Sequence, residues 1–347
     1  MLRQLSPSRI ESRVLTLEGG PYESTIRALG VPVLNLEPIA RRKISRLLTV
    51  ASEIRQFRPH VVHGMDSGGF YARAAARFLG VPGLVSGFNG SKAPNKVLSW
   101  MEYGLSHITD YVISNSYAGQ RCLIEEIGIN PAKVRVIQNG FDLDEARKWK
   151  PGDLHKDLGI EATRPIVGLV ARLMDVKNPL MFVEAAAIVR RDCPFAHFVA
   201  IGDGPLRSEV EARVKSLGLQ QSFTLLGERS DAVNLIPRLA VGVLTSRSEG
   251  LPNALLEHMF WQRPVVVSNV GDCARIVKHG VTGYVYQPGD LGGLSNYITR
   301  LLHNREDALR MGLAARQQLE KQYSIEGYCD RLLGLYEAAL DSHCGRS

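Results

Sequence analysis

Short apolar runs alternate with segments of helical periodicity along the whole chain, and no other feature restricts the fold as much. In the first half the apolar runs are residues 13–17, 31–36, 59–63, 83–87, 111–114 and 134–137. Segments 24–29, 40–57, 72–79 and 95–109 read as helices between them, and another helix opens at Asn115 or Ser116. In 40–57, Ile44, Leu47, Leu48, Ala51 and Ile54 fall on one face at three- and four-residue spacing. A polar, Pro/Gly-punctuated stretch follows the turn Asn139-Gly140, and then the alternation restarts. Strands are expected at 165–170, 196–201, 223–226, 240–245, 265–268 and 283–286. Helices are expected at 180–191, 206–217, 232–239, from 254, at 274–277 and 291–302, with a last one at 325–339. Strands of this length separated by helices of this length indicate βαβ units and parallel sheets. The fold class is therefore α/β, and a length of 347 residues suits two domains.

Charge divides the chain unevenly. Residues 1–150 hold 20 Lys and Arg against 13 Asp and Glu, whereas residues 151–347 hold 22 against 22. The net charge of +7 thus belongs to the first half, which points to an anionic partner there. No Arg/Lys-rich recognition helix or interleaved aromatic platform is present, which argues against nucleic acid. Arg41, Arg42, Lys43 and Arg46 sit in the first turns of the 40–57 helix, where a solvated basic face competes with an anionic membrane patch. No apolar run approaches the roughly 18 residues of a membrane span, and residues 1–12 show no apolar leader segment. The five cysteines are scattered without a C-x-x-C pair, which fits reduced thiols in a cytosol and neither zinc nor a disulfide framework.

The stretch Ser246–Met259, SRSEGLPNALLEHM, joins a buried strand to a helix through Gly250, Pro252 and Asn253. Helix N-termini bind anions, because their first N–H groups lack partners and the helix dipole favours negative charge. Glu249 before the turn and Glu257 within the helix cannot sit on the same anion, so they are expected to accept from neutral hydroxyls beside it. A diphosphate carrying hydroxyl-rich sugars, a nucleotide-sugar, satisfies both demands. Arg172 and Lys177 follow the strand 165–170 at its carboxyl end, where ligands of parallel sheets bind. Gly202-Asp203-Gly204 closes the next strand in a tight turn. No G-x-G-x-x-G follows a strand, which argues against a dinucleotide-dependent oxidoreductase.

The two acids of E-x7-E, with Gly-Leu-Pro-Asn after the first, together with Arg172, Lys177 and the GDG turn, resemble glycosyltransferase family 4. Those are the retaining, group 1 type enzymes of GT-B fold, and the resemblance runs from about Arg13 to about Leu340. It implies two Rossmann-like parallel-sheet domains facing a cleft. An acceptor-side domain would cover 1–143, with a C-terminal helix of 327–347 packing back on it, and a nucleotide-sugar domain would cover 144–326. The implied function is metal-independent hexosyl transfer to a lipid-linked or saccharide acceptor, in the building of surface polysaccharide or glycolipid. No cofactor beyond the donor itself is implied, and the implied place is the cytoplasm or the inner membrane face. A catalytically inactive subunit that binds sugar or a partner is the alternative.

Residue by residue, the resemblance places Arg172 and Lys177 on the diphosphate, Glu249 on donor-sugar hydroxyls and Glu257 on the ribose. The N–H groups of Leu251 and Asn253, in the turn with Gly250 and Pro252, meet phosphate. Gly202 and Gly204 allow close approach of the nucleotide, and the turn at Arg229, Ser230 and Asp231 faces the base. Asn89 stands nearest to the place where many relatives carry a histidine, while His63 falls at a usual family position where a structural role is an equal reading. Gly271-Asp272 replaces the expected Gly-Gly. Relatives open with a further strand, Gly-rich loop and helix of about 25 residues. The chain is therefore expected to be a fragment or a mis-started reading frame, with a first domain that lacks its central strand and has low stability.

Overall fold

The computed structural model describes residues 2–5, 10–20, 22–39 and 42–344. In chain order the elements are β1 (Val14–Thr16), α1 (Glu23–Ala28), β2 (Val33–Asn35), α2 (Lys43–Phe57), β3 (Val61–Met65), α3 (Asp66–Phe78), β4 (Gly83–Phe88), α4 (Lys96–Ser106), β5 (Tyr111–Ser114), α5 (Tyr117–Arg121) and β6 (Val134–Val136). There follow α6 (Leu143–Ala146), α7 (Leu154–Leu158), β7 (Ile166–Val170), α8 (Pro179–Asp192), β8 (His197–Ile201), α9 (Arg207–Ser216), β9 (Phe223–Gly227), α10 (Ala232–Leu235) and β10 (Val241–Leu244). The last elements are α11 (Asn253–Phe260), β11 (Val265–Ser268), α12 (Cys273–Ile276), β12 (Gly283–Tyr286), α13 (Leu291–His303), α14 (Arg305–Gln322) and α15 (Ile325–Cys344).

Two compact units result, Met1–Gly140 with Ile325–Ser347, and Phe141–Ser324. The expected division at 143/144 and 326/327 shifts by two to three residues, for a local reason. Phe141 pairs with Ser324 and donates its N–H to the Tyr323 carbonyl, and its ring packs on Trp149 and Phe260. Gly140, one residue earlier, lies so close to Ile325 and Tyr328 of α15 that a Cβ there would meet both.

In the first unit β3, β4, β5 and β6 form a parallel sheet, and β1 and β2 form a separate parallel pair. Among the described residues neither strand of that pair is hydrogen-bonded to β3. The pair is tied to the rest by apolar packing, as Leu15, Leu34 and Leu36 meet Val50 and Ile54 of α2 and Ala75 and Ala76 of α3. Side chains alternate across a strand, so Leu84 joins that cluster while Val85 faces Leu332, Leu335 and Ala339 of α15. His63 Nδ1 lies 2.8 Å from the Tyr336 hydroxyl on α15, and burial lowers its pKa to about 4. Arg73 of α3 is fully buried and grips Glu102 of α4 through two bonds of 2.8 and 2.6 Å.

The second unit holds one six-stranded parallel sheet in the order β12-β11-β10-β7-β8-β9. Helices cover both faces of such a sheet, so its inner strands read as continuous apolar runs. VVVS in β11 and VGVL in β10 are buried throughout. The expected helix 232–239 stops at Leu235 and continues as a 3-10 turn, Ile236–Arg238, because Pro237 lacks the N–H that an α-helix needs. The 18-residue α14 is a helix beyond those expected, capped by Asn304 and with Ala308, Met311, Ala315 and Leu319 on its buried face. α3 starts at Asp66 rather than 72, since Gly68 and Gly69 let the helix begin against the end of β3, where Gly64 and Gly69 touch backbone to backbone. α2 starts at Lys43, and Ala40 and Arg41 of the expected helix lie outside the described residues. Cys122, Cys193, Cys273 and Cys329 are buried free thiols.

Candidate functional site

The strand order of the second sheet reverses between β7 and β10. From β7 the chain builds outward through β8 and β9, and from β10 it builds the other way through β11 and β12. Loops leaving two adjacent strands at such a reversal part from each other and open a crevice at the carboxyl edge. Arg172 and Lys177 lie in the loop after β7, and Glu249, Gly250, Leu251 and Pro252 lie in the loop after β10 that leads into α11.

Hydrogen bonds clasp these two loops. Thr245 Oγ1 donates to the Lys177 carbonyl at 2.8 Å, and the Arg247 N–H donates to the Val176 carbonyl at 2.8 Å. Lys177 Nζ donates to Glu249 Oε1 at 2.6 Å, and Ser246 Oγ donates to the same oxygen at 2.6 Å. Glu249 is buried, and a buried carboxylate is tolerated only when paired and hydrogen-bonded. Lys177 and Ser246 meet that requirement and fix the carboxylate in one place. A third loop, after β11, supports the turn from below. The Asp272 N–H donates to the Gly250 carbonyl at 3.2 Å, and Ser268 Oγ donates to the Ser246 carbonyl at 2.7 Å. Gly271 has φ +55°, and a Cβ there would overlap the Glu249 carbonyl. Ser246, Gly271 and Asp272 thus hold Glu249 in place. Ser246, three residues before Glu249, carried the local signal of a short hydroxyl within reach of its neighbour's carboxylate.

Arg172 and Glu257 are in a different state. Arg172 is exposed and Glu257 half-buried, and neither side chain has a hydrogen-bond or ion-pair partner among the described residues. Burial raises the Glu257 carboxyl above its ordinary pKa. α11 begins at Asn253 after Pro252 with no side-chain cap on its N-terminus, and Leu251 and Pro252 are buried while Asn253 is exposed. Ser230 is exposed in the loop after β9, beside Arg229, whose guanidinium is held by Asp231 at 2.7 and 2.8 Å and by Asp157 at 3.0 Å. Asn89 belongs to the first unit, exposed just past β4.

Gly202 and Gly204 acquire a different reason from the one expected. A Cβ at Gly202, with φ +136°, would strike the Ala171 carbonyl, and one at Gly204 would strike the Leu173 carbonyl. The Leu173 N–H donates to the Asp203 carbonyl at 2.9 Å, and the Leu206 N–H donates to the Leu173 carbonyl at 2.9 Å. These glycines let the β8 turn press against the loop that carries Arg172, and that contact sets where Arg172 stands.

His258, beside Glu257, is fully buried with both ring nitrogens unpartnered, and its ring fills the space over Gly242. Burial, and then Arg263, lower its pKa from 6.5 to about 4. His197 on β8 is lowered likewise to about 4 by burial and then Arg164. Above pH 6.5 both histidines are neutral in the folded and unfolded chain and contribute no pH dependence. Below it the unfolded chain takes up protons first, so stability falls with pH down to about 4, by roughly 3 kcal/mol for each histidine. Urea midpoints of the second unit are expected to be level above pH 7 and to drop steeply between pH 6 and about 4. His258→Leu should flatten that slope, and a wild-type midpoint unchanged down to pH 4.5 would contradict the assignment.

Among the described residues no three His, Cys, Asp or Glu side chains gather as metal ligands, and no helix is long and apolar enough to cross a membrane. The family model described as Glycosyltransferase Family 4 matches residues 1–145, and that described as Glycosyl transferases group 1 matches residues 152–318. A UDP-Gal:alpha-D-GlcNAc-diphosphoundecaprenol alpha-1,3-galactosyltransferase of Escherichia coli is 28% identical over 349 residues, covering 96% of this chain and 90% of that protein. An alpha-D-kanosaminyltransferase of Streptomyces kanamyceticus is 32% identical over 194 residues, covering 55% of this chain and 49% of that one. Among solved structures, Anabaena Alr3699/HepE in complex with UDP superposes with a TM-score of 0.82 at 19% identity, covering 97% of this chain and 94% of that chain. A glycosyltransferase from Rickettsia africae ESF-5 gives 0.81 at 17% identity, with 94% and 90% covered. With one family model on each half of the chain and the GT-B architecture shared along nearly all of it, the chain belongs to the group 1, family 4 glycosyltransferases and is an enzyme of glycosyl transfer.

Proposed function

We propose that this enzyme takes a hexose-type sugar from a nucleoside-diphosphate donor seated at the β7/β10 crevice. The observation that carries the reading is the arrangement at that crevice. A Lys177–Glu249 pair is locked in place, Arg172 on the loop after β7 and Glu257 on α11 have no side-chain partner among the described residues, and α11 starts without a side-chain cap. Arg172 and Lys177 take up the charge that develops on the leaving diphosphate, each contact contributing about 1.5–3 kcal/mol, in place of a divalent metal. The N–H groups at Leu251 and Asn253 add the helix-terminal field. Glu249 accepts from donor-sugar hydroxyls and stabilises positive charge at the anomeric carbon, and Glu257 accepts from the ribose. The turn at Ser230 meets the base. Transfer is retaining and occurs on one face of the sugar. The bond from the anomeric carbon to the diphosphate oxygen breaks, the acceptor oxygen bonds to that carbon from the same side, and its proton passes to the departing phosphate.

The names of related proteins support a uridine donor, since HepE is described in complex with UDP and with UDP-glucose, and the Escherichia coli relative names UDP-Gal. That relative's acceptor is a diphosphoundecaprenol-linked sugar. We read the acceptor here as lipid-linked or saccharide, and the enzyme as a cytoplasmic one working at the inner membrane face on surface polysaccharide. The test is binding of UDP, GDP and ADP to wild type and to Glu257→Ala, followed by thermal shift and calorimetry. One diphosphate should stabilise the wild type, by about 2.7 kcal/mol at 100 times its Kd. Its affinity should fall about tenfold in the variant, the cost of a lost pair of hydroxyl contacts. No binding of any diphosphate, or equal affinity in the variant, refutes the donor site.

A further inference from the structure

The two oxygens of Glu249 are in different states. Lys177 Nζ and Ser246 Oγ both donate to Oε1 at 2.6 Å, whereas no described group bonds Oε2. Nor is Oε2 enclosed by protein, so it is the oxygen that opens out of the clasp. The carboxylate is thus divided into a held oxygen and an offered one. The last torsion of a glutamate is broad and two-fold, so rotation about it exchanges the two oxygens. Something must stop that rotation while the offered oxygen is in use.

The two donors differ in how well they can do so. The Lys177 backbone is pinned, because Thr245 Oγ1 holds its carbonyl, and Asn178, at φ +48°, ends the 3-10 turn Asp175–Lys177 and opens α8. Its side chain is 27% exposed, and its ammonium has three N–H groups of which Glu249 takes one. A flexible stem on a fixed backbone can follow a ligand, and a diphosphate carries more negative charge than one carboxylate, so it draws the ammonium toward itself. Ser246 cannot be drawn off in this way. It is 4% exposed, and Ser268 Oγ, itself buried, holds its carbonyl at 2.7 Å. Its hydroxyl is neutral, so a diphosphate exerts no comparable pull on it.

We propose that Ser246 is a positioning residue that keeps Glu249 Oε1 in place when Lys177 engages the diphosphate, so that Oε2 stays aimed at the donor sugar. The proposal rests on the donor reading given above and adds the group that makes sugar contact independent of diphosphate contact. Wild type, Ser246→Ala, Glu249→Gln and the double variant are titrated with UDP, UDP-glucose and UDP-galactose by calorimetry, and release of UDP from each sugar nucleotide is followed. Ser246→Ala should bind UDP within about twofold of wild type. Its affinity for the better UDP-hexose relative to UDP should fall about tenfold, and UDP release about 10–100-fold, the range of one hydrogen bond to a charged group. In the Glu249→Gln background the same change should cost no more than about twofold, because the charge that the hydroxyl holds is gone. Ser246→Thr, which keeps the hydroxyl, should restore most of the loss. A serine that merely props the turn would instead cost UDP affinity as well, and equally in both backgrounds, and either result overturns the proposal. Wild-type release and an unchanged UDP-hexose to UDP ratio in Ser246→Ala, with UDP binding intact, sinks this proposal alone. Failure of the wild type to bind UDP sinks the uridine donor reading and the proposal together.

Discussion

Glu249→Gln is expected to reduce glycosyl transfer about 10²–10³-fold while the chain stays folded and still binds the nucleoside diphosphate. The amide keeps the shape of the carboxylate and can still accept from Ser246 Oγ, so the turn from Ser246 to Pro252 keeps its support. What disappears is the negative charge proposed to face the anomeric carbon, together with the ion pair that orients Lys177. Both losses are felt mainly in the transition state, so kcat should fall with little change in donor affinity. Glu249→Ala is a poorer probe, because the residue is buried in the clasp between two loops and its removal leaves Lys177 without its partner. The measurement is transfer and hydrolysis of labelled donor, with diphosphate binding followed in parallel. Wild-type turnover in the glutamine variant would remove Glu249 from the chemistry.

Glu102→Ala is expected to destabilise the first unit by about 3–5 kcal/mol. Arg73 is wholly buried on α3, and its guanidinium meets both carboxylate oxygens of Glu102 on α4. Its other contacts are weaker, at 3.3 Å to the Gly69 carbonyl and 3.5 Å to the Thr109 hydroxyl. Truncating Glu102 strands the guanidinium, and the penalty is that of an unpaired buried charge rather than the worth of the pair. Arg73→Met/Glu102→Leu should therefore recover most of the loss, since apolar side chains of similar volume need no partner. Because the chain has two units, one unfolding curve cannot apportion the effect. Hydrogen exchange of the β3, β4 and β5 amides reads the first unit directly. A single variant within about 0.5 kcal/mol of wild type, or a double variant less stable than the single one, would contradict this account.

Much of the second unit was legible from local pattern. The strands at 265–268 and 283–286 coincide with β11 and β12, because buried parallel strands must be short, apolar and bounded by turn residues. Two further departures also follow local rules. The capped, three- and four-spaced face of α14 was present in residues 304–319, and Pro237 marked the early end of α10. The sequence by itself determined the element types, the α/β class and the residue types available for chemistry at two strand ends. Tertiary structure decided which strands are neighbours. Strand order depends on contacts between distant segments, and no periodicity records it. The β7/β10 reversal places Lys177 against Glu249 across 72 residues of sequence. The β7/β8 pairing sets Gly202 and Gly204 against the Arg172 loop, and Arg172 and Glu257 have no partner among the described residues. The spacing of those residues in the sequence is a fixed property of the chain, but whether each charge is held or left open depends on which loops the sheet brings to the same edge.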